Sequence, residues 1–362
     1  MPVLMSETRN QMLLHRAVEL AGRGHGCVEP NPMVGCIVLS KDGEVAGEGF
    51  HEQCGDSHAE INALNQAGAR ARGGTAYVTL EPCNHDGRTG PCTQALLEAG
   101  IEKVVIGCRD PHPDAAGGAT FLSQNGVDVV IEENVVCKDL IAPFVHRLRH
   151  GIPWVTCKWA QTSDGYIETP TGEPPWISCD ESLQLVHQKR GCIDAIIVGV
   201  GTVVADNPSL TVRDAVAHRT PLRIVVDPTL RTPLKAQVLD GAVPTLIAHG
   251  KNADPVRLAR TRVALLELPW LDGSLDLRPL FTHLVQEYNA TNVIVEGGKT
   301  LFGHIFDQNL ANELWVFTSP RALGEVPLQN MDALFDALPC HRVDQYTCGD
   351  DSVCRYRVNM EN

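Results

Sequence analysis

No apolar run in these 362 residues approaches the ~18 needed to cross a bilayer as a helix, so no membrane span is expected. The stretch Met1–Asn10 has neither a basic start nor an apolar core, which argues against a secretory signal. Internal repeats and low-complexity tracts are absent. Positive charge is scarce: 30 Lys and Arg stand against 44 Asp and Glu, a net charge of −14. A broad nucleic-acid footprint needs clustered Lys and Arg, so no nucleic-acid partner is expected. Thirteen cysteines are present, but their number is odd and their spacing forms no disulfide framework. That usage fits a reducing, cytoplasmic compartment. The length allows two domains or three, each able to bury a core.

What is present is a set of soft ligands in the first hundred residues: His58-Ala59-Glu60, then Pro82-Cys83, then Cys92. One imidazole and two thiols suit Zn²⁺, and three protein ligands leave a fourth position open, as at catalytic rather than structural zinc. Glu60 lies two residues past the histidine and is not needed as a ligand. A glutamate so placed can move a proton between water and a leaving group. The order H-x-E, P-C, C is that of zinc nucleobase deaminases, although the second cysteine here follows the first by nine positions rather than three. Taken singly, each piece has a bland reading, since cytosolic cysteines are mostly small buried hydrophobes. The combination does not. Thr75–Leu80 reads as a strand delivering Cys83, residues 58–69 as a helix whose first turn holds His58 and Glu60, and Cys92–Ala99 as a helix stopped by Gly100. A helix start favours thiolate over thiol.

The first half alternates helical patterns with apolar runs. Thr8–Gly22 reads as a helix, while Val34–Leu39, Thr75–Leu80, Val104–Cys108 and Val127–Ile131 read as strands, together a layered α/β sheet. The pattern resets at Val145–Pro153, which predicts domains at 1–150 and 151–362. In the second half Trp154–Trp159, Ala195–Val200, Leu222–Asp227, Pro244–His249, Asn292–Glu296 and Leu314–Ser319 read as strands. Ser178 or Asp180 caps a helix running to Arg190. The junction Val293–Thr300 passes from strand through Gly297-Gly298 into a helix, where a backbone can approach a phosphate closely. It is not a Rossmann fingerprint, and alone such a junction is more often just a tight turn. Gly201–Arg213 reads as a polar loop after a strand, where α/β sheets gather their active-site loops.

These motifs resemble the bifunctional riboflavin-biosynthesis deaminase/reductase family over nearly the whole chain. The deaminase half is similar in Asn31–Gly35, Gly49–His51, His58–Glu60 and Glu81–Cys92. The reductase half is similar in Ser163–Gly165, Gly172-Glu173 with Trp176–Ser178, residues 201–213, and Glu296–Gly298 with Thr300-Leu301. The resemblance implies a cytidine-deaminase-like three-layer N-terminal domain and a dihydrofolate-reductase-like α/β C-terminal domain. It implies Zn²⁺ on His58, Cys83 and Cys92, Glu60 as proton shuttle, and Asn31, His51, His85 and Arg88 around the first substrate. NADPH would meet Ala160, Trp176, Thr202, Asp206 and the stretch Gly298, Lys299, Thr300, Leu301, Phe302, Gly303, His304. The second substrate would meet Ser178, Arg190, Leu210, Arg213 and Glu296, the arginines suiting its phosphate. Asn84, Asp86, Gly90, Ser163, Tyr166 and Pro174 depart from the family's usual residues.

The activity implied is zinc-dependent deamination of a phosphorylated pyrimidine followed by NADPH-dependent reduction of its ribosyl group. Small phosphorylated pyrimidines and further copies of the chain, in a homo-oligomer, are the partners expected. A deaminase of tRNA or another nucleoside with a non-catalytic second domain is the alternative enzyme. A zinc-stabilised binding module is the non-enzymatic one, disfavoured because such a module has no use for Glu60.

Overall fold

The computed structural model describes residues 8–85, 90–112, 116–172 and 176–359. Arg88, Asp86 and Pro174 lie outside the described residues. The chain divides into two compact units, Met1–Arg149 and His150–Asn362.

The first unit runs α1 (Arg9–Gly22), β1 (Gly35–Leu39), β2 (Val45–Phe50), α2 (Ala59–Ala67), β3 (Thr75–Val78), α3 (Cys92–Glu98), β4 (Lys103–Ile106), α4 (Gly118–Gln124), β5 (Asp128–Ile131) and α5 (Val135–His150). Its sheet has the order β2-β1-β3-β4-β5. β1 is antiparallel to β2 and β3, while β3, β4 and β5 are parallel. Side chains alternate along each strand, so one strand feeds two cores. Cys36 and Val38 pack with Ala59, Ala63 and Leu96 of α2 and α3. Ile37 and Leu39 face the other way, to Leu14 and Ala17 of α1. With both faces covered, the strands carry apolar residues at successive positions, as buried parallel strands do. Two glycines let α2 lie close on β2. A Cβ at Gly49 would overlap the backbone of Ala59 and Ala63, and one at Gly47 the backbone of Ala63 and Ala67.

The second unit runs β6 (Trp154–Gln161), α6 (Asp180–Arg190), β7 (Ala195–Gly199), α7 (Val200–Asp206), β8 (Leu222–Val226), β9 (Thr245–Gly250), β10 (Ala264–Leu268), a ribbon of β11 (Trp270–Leu271) and β12 (Ser274–Leu275), α8 (Arg278–Tyr288), β13 (Asn292–Val295), α9 (Lys299–Asp307), β14 (Glu313–Thr318), α10 (Asp332–Asp336), β15 (Cys340–Cys348) and β16 (Asp351–Val358). The main sheet has the order β10-β9-β8-β7-β13-β6-β14-β16-β15. The strands from β10 to β14 in that order are parallel, and β16 and β15 close the edge antiparallel. Ala195 and Ile197 of β7 pack on the face covered by α8 and α9. Ile196 and Val198 pack on the face holding Val186 of α6 and Val203 of α7.

This order has a consequence for function. β7 and β13 are neighbours, yet β7 leads into α7 on one face and β13 into α9 on the other. Connections that leave adjacent parallel strands toward opposite faces open a crevice outside their carboxyl ends, the usual ligand position in such sheets. Residues 201–206, expected as the start of a loop, form helix α7 together with Val200, which was expected to end the strand.

Candidate functional site

In the first unit the end of β3 and the start of α2 meet. His58 is the residue ahead of α2, its backbone extended, and not part of the first turn as expected; Glu60 is in that turn. Cys92 is the first residue of α3. His58 Nδ1 lies 3.3 Å from Cys92 Sγ and 3.5 Å from Cys83 Sγ. The three donor atoms all fall within 4.8 Å of one another. A tetrahedral zinc with ordinary Zn–N and Zn–S bonds holds N and S about 3.6 Å apart, so the triangle fits the ion. The donors are one imidazole and two thiols, with no fourth protein ligand in the group among the described residues.

The surroundings are tuned for such a group. The Cys92 amide donates to Cys83 Sγ at 3.4 Å. Donation from the Cys92 thiol, the His58 imidazole and that amide lowers the Cys83 thiol, although burial opposes it. Cys92, deeply buried beside Cys83, is raised. His58 is raised by its hydrogen bond with Cys83 against the effect of burial. Glu60 is 3% exposed, and burial, then the nearby Cys83 charge, raises its carboxyl. Glu81 shapes the neighbouring loop: its carboxylate accepts from the amides of Asp110, Gly117 and Ala119 at 2.9–3.2 Å. Its role was not foreseen, and its place beside Pro82-Cys83 was the available clue.

His51 and Asn31 join this cluster. His51 stands edge-on to His58, ring centroids 5.5 Å apart. Its Nδ1 is 3.2 Å from the Ser57 carbonyl, and its Nε2 is 3.4 Å from Asn31 Nδ2. Donation from Nδ1 leaves Nε2 as the acceptor for Asn31, and burial lowers the ring's pKa, which keeps it neutral. His85 is exposed at the end of its described stretch.

The second unit places its residues around the carboxyl ends of β7, β13 and β6. Arg190, at the end of α6, forms a fork on Glu296, with Nε 2.8 Å from Oε1 and Nη2 2.6 Å from Oε2. Their side chains are only 12% and 13% exposed. Burial would raise Glu296, but the Arg190 charge and its hydrogen bonds, with Lys158 and His187, hold it down at about 2. Both residues were expected to contact substrate; here each is first of all the other's partner. Arg213 is the exposed cation. It donates to Ser209 Oγ at 2.9 Å, and its amide donates to His187 Nδ1 at 3.2 Å. Leu210 is buried with a left-handed φ of 51°, a conformation uncommon for a branched residue. It pins the segment that presents Ser209 and Arg213.

Gly298 caps α9 without any side-chain cap, so the first amides of that helix are open toward the crevice. Those amides and the adjoining Gly297 fit a pyrophosphate-bearing cofactor. Lys299, Thr300, Gly303 and His304 are at least partly accessible, but Leu301 and Phe302 are core residues at 5% and 0% exposure. Those two therefore cannot offer side chains to a ligand, because they pack α9 on the sheet. Thr202 and Asp206 lie on α7, where burial and then Glu168 raise the Asp206 carboxyl. Ala160 is at the carboxyl end of β6, Trp176 is exposed, and Ser178 precedes α6. Lys158 was missed. It is the lone cation in apolar β6, its Nζ 5.2 Å from the centre of the Phe317 ring, and burial lowers its pKa while Glu296 opposes that. A single lysine inside the run Trp154–Trp159 was the signal.

The fold and these clusters define a zinc-type deaminase joined to an α/β reductase. Residues 7–108 match the cytidine and deoxycytidylate deaminase zinc-binding region, and residues 153–353 match the RibD C-terminal domain. Riboflavin biosynthesis protein RibD of Aquifex aeolicus is 38% identical over 323 residues, 88% of each chain. That of Escherichia coli is 36% identical over 333 residues, 87% of this chain and 89% of the other. The Thermotoga maritima diaminohydroxyphosphoribosylaminopyrimidine deaminase/5-amino-6-(5-phosphoribosylamino)uracil reductase superposes with a TM-score of 0.81 at 31% identity, covering 97% of this chain and 99% of that one. Acinetobacter baumannii RibD gives 0.77 at 32% identity, again over 97% and 99%. The chain belongs to the RibD family of bifunctional riboflavin-biosynthesis enzymes. It is a deaminase and a reductase, with zinc and NADPH as its cofactors. A non-catalytic second domain is not favoured by the match over residues 153–353. Among the described residues, no helix is long and apolar enough to cross a membrane.

Proposed function

We propose that the first unit deaminates 2,5-diamino-6-ribosylamino-4(3H)-pyrimidinone 5′-phosphate and the second reduces the resulting 5-amino-6-(5-phosphoribosylamino)uracil at its ribosyl group. His58 Nδ1, Cys83 Sγ and Cys92 Sγ would hold the zinc. When bound, zinc supplies Lewis acidity toward water and NADPH supplies the hydride; the protein does the rest. Glu60 takes a proton from the attacking water and returns it to the departing amine. Its raised carboxyl suits that uptake. Asn31 and neutral His51 orient the pyrimidine beside the metal, with His85 and Arg88 toward its phosphate.

In the second unit the α9 amides, Lys299, Thr202 and Asp206 hold the dinucleotide in the crevice, with Ala160, Trp176, Thr300, Gly303 and His304 around it. Arg213 and Ser178 take the second substrate's phosphate, while the Arg190–Glu296 pair and Leu210 form a fixed wall beside it. We place the enzyme in the cytoplasm as a homo-oligomer acting on small phosphorylated pyrimidines. Thirteen cysteines, an odd number whose spacing forms no disulfide framework, support the reducing compartment. Sedimentation of the purified chain checks the oligomer.

The observation that carries the first half is the three-donor triangle with Glu60 buried next to it and outside the ligand set. The test is Glu60→Gln. The variant keeps one zinc per chain and loses ammonia release by at least ~10²–10⁴-fold, the usual contribution of general acid–base catalysis. Wild-type ammonia release from the glutamine variant would remove Glu60 from the mechanism.

A further inference from the structure

Arg213, the exposed cation set toward the second substrate's phosphate, stands on a segment outside any helix or strand. Between Asn207 and Asp214 three residues other than glycine have left-handed backbones: Asn207 at φ 45°, Leu210 at 51° and Asp214 at 51°. Such conformations persist only where the surroundings over-determine them. The side chain of Leu210, buried in the core, is one anchor. It fixes where the segment lies, but not which way the peptide groups on either side of it turn.

Two arginines fix those peptides. Arg190 Nη1 donates to the carbonyl of Thr211, the residue after Leu210, at 3.4 Å. Arg223 Nη1 donates to the carbonyl of Ser209, the residue before it, at 3.3 Å. Arg223 is the second residue of β8, whose other members are Leu, Ile and Val, and it is fully buried. Alternation along the strand sends its side chain to the face of Val225, where Leu210 and Val238 pack. The rest of its donors are used as well. Nε donates to Thr245 Oγ1 at 2.9 Å, and Nη1 also to the Gln237 carbonyl at 3.3 Å. Nη2 donates to Asp240 Oδ1 at 2.8 Å and to the Val243 carbonyl at 2.6 Å. Gln237 closes the frame, its amide donating to Asn207 Oδ1 at 2.8 Å. One guanidinium therefore ties the start of the segment to β8 and to the connection ahead of β9. From Ser209 the geometry passes directly to Arg213, whose Nη1 donates to Ser209 Oγ at 2.9 Å.

Stability alone does not account for this residue. Taking a guanidinium out of water is costly, and apolar side chains of similar volume often serve a core as well or better. What arginine adds is a planar fork of five donors, which here reaches three separate carbonyls, a hydroxyl and a carboxylate at once. We infer that Arg223 is a positioning residue for the reduction: too deep to touch substrate, it holds the Ser209 carbonyl and so sets Ser209 and Arg213 toward the substrate's phosphate. The inference rests on Arg213 being the ligand of that phosphate.

The test is steady-state reduction, by the full-length zinc-loaded enzyme at saturating NADPH, of 5-amino-6-(5-phosphoribosylamino)uracil and of its phosphate-free counterpart. Arg223→Lys keeps the charge and loses the fork. It should raise KM for the phosphorylated substrate about tenfold, the lower end of what one charge-assisted hydrogen bond is worth, and leave kcat unchanged. For the phosphate-free substrate kcat/KM should equal that of the wild type. Arg213→Ala should raise the same KM, and adding Arg223→Lys to it should raise it no further, because both act through one contact. Asn207→Gly gives a second handle at an exposed position. It keeps the left-handed backbone, releases the segment from Gln237, and should raise KM with the same dependence on phosphate. Wild-type constants from Arg223→Lys would overturn the inference. So would an equal loss on both substrates in step with a lower melting temperature, which would leave Arg223 a core residue and Arg213 in its role. If Arg223→Lys fails to fold, Asn207→Gly decides, and an unchanged KM there overturns the inference. If Arg213→Ala leaves KM for the phosphorylated substrate unchanged, the assignment of the phosphate falls, and this inference with it.

Discussion

Arg190→Met removes the partner of a buried carboxylate, and its consequences follow from the geometry. Glu296 would keep its charge at 13% exposure with the fork of 2.6 and 2.8 Å bonds gone. Breaking one side of a buried pair typically costs ~3–5 kcal/mol. Linkage gives a similar figure independently. A glutamate moved from its ordinary ~4.3 to about 2 contributes roughly 3 kcal/mol of stability at neutral pH. The sign is that of a depressed carboxyl: the contribution is complete above pH ~4.3 and is lost as pH falls toward 2. At ~2–4 °C per kcal/mol for a unit of this size, the second unit should melt roughly 6–20 °C lower. Adding Glu296→Gln to Arg190→Met should recover much of that, because no charge is then stranded. The assay is thermal unfolding from pH 7 to pH 3, read by calorimetry on the wild type, both single variants and the double. The wild type should lose stability between pH 4.3 and 3 more steeply than the double variant. Equal melting temperatures for wild type and Arg190→Met at pH 7 would refute the reasoning, and would return Arg190 to the role of a free phosphate ligand.

Three further outcomes are expected. Cys83→Ser should lose zinc and lower the melting temperature of the first unit, since ligation and folding are coupled; retention of one zinc per chain by metal analysis would exclude Cys83 as a ligand. Gly49→Val should abolish deamination while leaving NADPH-dependent reduction of the deaminated substrate intact, because its side chain would displace α2, with His58 and Glu60, from β2; a normal deamination rate would show that the close approach is dispensable. Cutting the chain near residue 150 should give folded fragments, checked by circular dichroism, that separately deaminate and reduce; activity only on mixing would place catalytic groups of one unit in the other's site.

The sequence made some of this legible for physical reasons and hid the rest. The clustering of His58, Cys83 and Cys92 was legible because metal ligation demands particular atoms, and these residues are close enough in sequence for the proposed motif to stand out. Strands buried on both faces, such as Ile196–Val198 and Ile224–Val226, could be read from their continuous apolar runs. β2 was missed because Gly47 and Gly49, which α2 requires, depress strand propensity. The hairpin β15–β16 was missed because β15, at the edge, is mostly exposed and shows no apolar face. Helix α7 was read as a loop because Gly201, Thr202 and two valines are weak helix formers, overridden here by packing Val200 and Val203 into the core. The pairing of Arg190 with Glu296 could not be read, since 106 residues separate them and each looked suited to a ligand.

The central claim is that one chain performs two successive reactions on one substrate. The direct measurement is the mass of the pyrimidine product made by the zinc-loaded enzyme, with and without NADPH. Without NADPH the product should show exchange of one amino group for oxygen and stop there. With NADPH it should gain, in addition, one hydride and one proton. A product that never advances beyond the first exchange, although NADPH is bound, would contradict the account, as would reduction of the substrate before its amino group is lost.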